Sequence, residues 1–190
     1  PVMEQQRLKV HRRKTHLDGA VYTVLSPRAD EGPVLSVDIV EDGATITGDT
    51  VASGLLGQLC WAMAYQHTPY TIAVVDGVVG APVVVVNLDL GEVSEGSLTA
   101  LGPLLPWTTT SDGTVNLNTR SLESAVANEP AFYADQKKAG IGDIKHQSRF
   151  VRQAGDVLVL GAPAIVLKSW GVQLSTPDDA RPKWFLTTPA

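Results

Sequence analysis

The sequence predicts an α+β domain, a largely antiparallel sheet packed on one central helix, with an extended basic arm before it and a tail after it. Three observations carry this reading. The stretch from Asp49 to Gln66, taken as a helix, places Val51, Leu55, Leu56, Leu59, Cys60 and Met63 along one side, with Asp49 or Thr50 positioned to cap it. Valine-rich runs flank that helix on both sides. Strand-like runs outnumber helical ones and do not alternate with them one for one, which argues against a doubly wound nucleotide-binding fold. A β-sandwich or jelly roll is the alternative architecture, because residues 119–153 hold the only other substantial helical region.

Taken in order, residues 1–16 have no convincing period and read as an extended arm. Ala20 to Leu25 and Val34 to Val40 are strands; in the second, Val34, Ser36 and Asp38 alternate with Leu35, Val37 and Ile39. Glu41-Asp42-Gly43 turns the chain into a further strand, Ala44 to Thr47. Within the central helix Gly54 and Gly57 each cost about 1 kcal/mol against alanine, so close approach to a neighbouring layer is expected there. Thr71 to Val75 and Ala81 to Leu88 are strands, and the run Val83-Val84-Val85-Val86 calls for burial on both faces. Gly91 to Ser97 reads as an acidic loop and Leu98 to Trp107 as an irregular packed segment broken by Gly102, Pro103 and Pro106. Thr114 to Leu117 is a short strand; Thr119 to Ala127 and Glu129 to Lys138 are helical, with Pro130 in the first turn of the second. Lys145 to Gln153 reads as a short amphipathic helix or an arm, and Asp156 to Leu160 and Ala164 to Trp170 as a closing pair of strands. The division that results is a basic arm, 1–16, a single domain, 17–176, and a tail, 177–190.

At 190 residues the chain is long enough to bury roughly 70% of its unfolded surface without a disulfide or metal. Only 18% of its residues are charged, against a usual ~25%, which points to surface used for packing against other subunits. Its single cysteine, Cys60, reads as a small buried hydrophobe. The first residues lack the apolar core of a signal peptide, and no stretch reads as a membrane span, so the protein is expected to be soluble and made in the cytoplasm.

The net charge of −5 is unevenly spread. Residues 1–16 carry +4 through Arg7, Lys9, Arg12, Arg13 and Lys14; residues 17–136 carry −13; residues 137–152 carry +4 through Lys137, Lys138, Lys145, Arg149 and Arg152. These ten cations are the candidate partner or nucleic-acid contacts. An acidic body makes a neighbouring protein copy the preferred partner of the arm, with nucleic acid second. Trp184 and Phe185, in a proline-punctuated tail, are candidate anchors into a partner's pocket.

Catalytic signatures fail on inspection. Gly91 to Ser97 has the glycine spacing of a phosphate loop, but Ser97 replaces the lysine and Glu92 and Glu95 oppose phosphate. Gly140-Ile141-Gly142 follows a helix, not a strand, and reads as a helix stop. His11, His16 and Asp18 lie in a cationic setting unfavourable to a metal, and no cofactor or metal is expected. His67, with Tyr70 and Asp76 nearby, is the one place suited to acid or base chemistry, although a cap on the C-terminus of the central helix is the preferred role for it.

Together these features give a non-enzymatic assembly subunit whose ends interlock with neighbouring copies, a viral or phage particle protein being one instance. On that reading residues 1–16 and 177–190 can be deleted without unfolding the body. A small enzyme or ligand-binding domain near His67, and a nucleic-acid-binding accessory protein, are the two alternatives.

Overall fold

The computed structural model describes residues 7–27, 35–40, 43–48, 50–75, 80–107, 112–139, 147–176 and 183–187. The chain is a mixed α and β structure built on an open seven-stranded sheet, with a second sheet of three strands. Strands β1 (Arg7–Leu17) and β2 (Ala20–Pro27) form a hairpin around Asp18-Gly19, both at positive φ (49° and 84°). A two-residue loop of that kind matches the right-handed twist of the strands it joins. β3 (Leu35–Val40) and β4 (Gly43–Gly48) form the next hairpin and lead into helix α1 (Thr50–Ala64). β5 (Thr71–Val75) and β6 (Val83–Asn87) follow, then helix α2 (Glu95–Leu101), which runs into a 3-10 helix, Gly102–Trp107. β7 (Gly113–Asn118), helices α3 (Leu122–Ala127) and α4 (Glu129–Lys138), strands β8 (Phe150–Ala154) and β9 (Val157–Ala162), helix α5 (Ala164–Ser175) and strand β10 (Lys183–Thr187) complete the chain.

The large sheet runs β7-β1-β2-β5-β6-β9-β8; β2/β5 and β6/β9 are parallel and the other pairs antiparallel. The small sheet runs β10-β4-β3. Alternation sorts the sheet's side chains onto two cores. Ala73, Val75, Val83, Val85, Leu158 and Leu160 face α1, α5 and the small sheet. Ile72, Val74, Val84, Val86, Val157 and Val159 face α2 and the 3-10 segment. With helices on both faces, the four valines of β6 are buried on either side, as their unbroken run requires.

Three readings of the sequence need correction. Residues 7–16 are not an arm: β1 lies inside the sheet, paired with β2 on one side and β7 on the other. Its charged residues hide an inward set, Val10 and Leu17, on opposite faces of the strand. Lys145 to Gln153 is neither helix nor arm where described, because β8 hydrogen-bonds along β9. Ala164 to Trp170 is helix, not strand. Pro163 offers no capping side chain, and the carboxylate of Asp89, far away in sequence, accepts from the Ala164 amide at 2.9 Å instead.

Helices α1 and α5 meet at Gly57 and Gly171. A Cβ on Gly57 would stand 2.8 Å from the Gly171 carbonyl oxygen, and one on Gly171 would stand 2.9 Å from that of Gly57. Gly57 therefore provides the expected close approach, whereas Gly54 faces open space.

At the far end of α1 the buried Asn87 amide donates to the Met63 carbonyl at 2.9 Å, and its oxygen accepts from the Asp89 amide at 2.9 Å. Asn87→Leu takes the acceptor from the Asp89 amide and leaves the Met63 carbonyl with the Gln66 amide alone, at 3.2 Å. The expected loss is about 2 kcal/mol, read as a lower urea midpoint with unchanged slope.

Candidate functional site

Among the described residues, the cations singled out in the sequence are spread over separate elements. Arg7, Lys9, Arg12, Arg13 and Lys14 lie on β1, where the pleat sends Lys9 and Arg13 to one face and Arg12 and Lys14 to the other. His11 and His16 are split in the same way, so the two imidazoles do not converge. Arg152 lies on β8, five strand spacings from β1 across the sheet, about 24 Å. There it pairs with Glu95 at 2.9 Å and lies over the Phe150 ring at 4.8 Å, joining α2 to the sheet edge. Arg149 is half-buried just before β8, its Nε donating to the Gln147 carbonyl at 3.5 Å. Lys137 and Lys138 occupy the last turn of α4, where they complement the helix dipole. Lys145 lies outside the described residues.

The tail's aromatic pair is also placed. The backbones of Trp184 and Phe185 lie in β10 opposite Ile46 and Thr45 of β4.

His67 is exposed beyond the end of α1. The cavity nearest in sequence, about 150 Å³, is lined by Pro69, Tyr70, Thr71, Asn87, Leu90, Gly91, Glu92 and Val93, without the imidazole. Tyr70, at φ 60° and 52% exposed, sets its ring edge-on to Tyr22 at 5.2 Å. Asp76 lies outside the described residues. The Cys60 thiol is buried inside α1, and burial pushes it up to about 12, out of reach of nucleophilic chemistry.

A larger cleft, about 410 Å³, opens where α3 and α4 cover α1 and α5. Sequence reasoning missed it. Its floor is Trp61, Phe132 and Ala125, with Trp61 and Phe132 centroids 5.8 Å apart. Tyr65, one helical turn beyond Trp61, forms the rim, with the Lys168 ammonium over its ring at 4.5 Å. Ser121, Ser124 and Asn128, at α3 and its two ends, and Asp135 and Gln136, on α4, supply its polar lining. The Trp61 indole N–H donates to the Arg120 carbonyl at 3.3 Å, which fixes the floor. Ser121 has φ 77°, a left-handed conformation costing a non-glycine residue about 1–3 kcal/mol, and its hydroxyl makes no cap to α3. The signal available in the sequence was the Trp61/Tyr65 pair at i, i+4 beside the polar face of residues 119–138.

Among the described residues no helix is long and apolar enough to cross a membrane. Comparison with protein-family models, with curated proteins and with solved structures gives no match to the chain.

Proposed function

We propose that this protein is a non-enzymatic assembly subunit that links to neighbouring copies through its edge strand β10, a viral or phage particle protein being a concrete instance. The observation that carries the reading is the seat of β10. Among the described residues its five residues pair with β4, at the edge of the small sheet, and in sequence they follow α5 after residues 177–182. A strand that completes a sheet edge makes the same main-chain bonds whether it comes from its own chain or from a neighbour, so exchange between copies costs little. A short tether gives the intrachain pairing an effective concentration of order mM, so exchange prevails where copies are crowded together, as on a growing assembly. The low charged fraction, 18%, is consistent with surface given over to subunit contacts.

The test uses the strand register. Lys183 stands opposite the exposed Thr47, and cross-strand Cα separations of about 4.5–5.5 Å suit a disulfide. A Thr47→Cys/Lys183→Cys protein, oxidised at rising concentration, is expected to yield covalent dimers and longer ladders on a non-reducing gel. Intrachain monomers alone, at every concentration up to millimolar, would refute strand exchange. The native Cys60, buried as described, stays out of the oxidation.

A further inference from the structure

The cleft over α1 and α5 presents chemistry that the fold does not use up. Asp135 and Lys168 line it with opposite charges, yet no ion pair joins them; the ammonium rests on the Tyr65 ring instead. Trp61 and Phe132 give the same cleft an apolar floor, and Ser121, Ser124 and Asn128 add hydroxyl and amide groups to its lining. A volume of about 410 Å³ falls inside the ~300–1,000 Å³ range of small-molecule sites.

The pattern selects among ligand classes. A neutral sugar would satisfy the amides and hydroxyls but gain from neither charge. An organic cation seeking an aromatic face meets Lys168 already there, a like charge. A lone anion leaves Asp135 facing it. A molecule carrying both charges a few ångströms apart, with an apolar group to cover the ring floor, satisfies every wall.

We propose that the cleft binds a free α-amino acid with an apolar side chain, its carboxylate on Lys168, its ammonium on Asp135 and its side chain over Trp61 and Phe132. The site is independent of strand exchange and goes beyond it.

Calorimetric titration of the full chain tests this with L-phenylalanine and L-leucine as probes. L-Phenylalanine methyl ester lacks the negative charge, N-acetyl-L-phenylalanine lacks the positive one, and glucose stands for a neutral polyol. The free amino acids are expected to bind, and removal of either charge to weaken binding about tenfold or more. Asp135→Asn should abolish the preference over the N-acetyl derivative, and Lys168→Met the preference over the ester. Absence of binding by both amino acids at millimolar concentration, equal binding of the charge-blocked analogues, or binding of glucose alone would each overturn the proposal. Should a variant fail to fold, the analogue series on the unaltered chain still decides.

Discussion

A chain lacking residues 1–16 is expected to lose its cooperative melting transition altogether. The truncation removes β1 from between β2 and β7, leaving both with an unpaired edge and β7 without its strand partner in the sheet. It deletes the fully buried Val10 and uncovers Leu117 and Val115, which pack in the same core. Burial of one such side chain contributes about 1.5–3 kcal/mol. Adding the lost ladder on both sides brings the deficit within reach of the whole stability of a domain, about 5–15 kcal/mol. Near-ultraviolet circular dichroism and calorimetry read the outcome. A transition with unchanged midpoint would mean that residues 7–16 are a dispensable arm after all. Among the described residues, deletion of 177–190 removes β10 from a sheet edge, and it is expected to leave that transition in place.

The second large effect sets two glycines of one helix against each other. Gly57→Ala pushes a methyl group against the Gly171 carbonyl oxygen and to within 3.2 Å of the Leu174 Cβ. Backbone cannot rotate away, so α1 and α5 must separate, at a cost of about 1–3 kcal/mol. Gly54→Ala meets no atom within 4 Å and gains about 0.5–1 kcal/mol by restricting the unfolded chain. For a chain of this size each kcal/mol moves the midpoint by roughly 2–4 °C. Thermal unfolding of the two variants should therefore shift in opposite directions. Shifts of the same sign would show that helix propensity, not the crossing, governs both sites.

Those two glycines also mark where the sequence is legible. Position in a helix revealed that close approach was wanted; which glycine supplied it depended on α5, whose own existence was hidden. Ala164 to Trp170 opens with Ile165, Val166 and Leu167, the first two with strand preference, and its cap comes from Asp89, a non-local carboxylate that no local pattern announces. Strands whose side chains are buried on one or both faces, such as β3, β5 and β6, were readable from their alternation or unbroken valines. β1 was obscured because a run of cations masked its inward residues, although Asp18-Gly19 is a strong hairpin signal in its own right. The cleft was hidden for a different reason. Its walls come from four helices, and Asp135 and Lys168 share one cleft with an aromatic floor only once α3 and α4 lie over α1 and α5. The cations, conversely, formed a pattern in the chain that the pleat and the width of the sheet disperse.

The parallel pairing of β6 with β9 bears on how the protein is made. Asn87 leaves the ribosome roughly 70 residues ahead of Val157, an interval of roughly 4–14 s at ~5–20 residues per second. Throughout it, the four valines of β6 form a hydrogen-bonding edge without charge or proline, the kind of segment that recruits other nascent chains. Soluble yield should thus be governed by elongation rate and chaperone supply during that window more than by the stability of the finished fold.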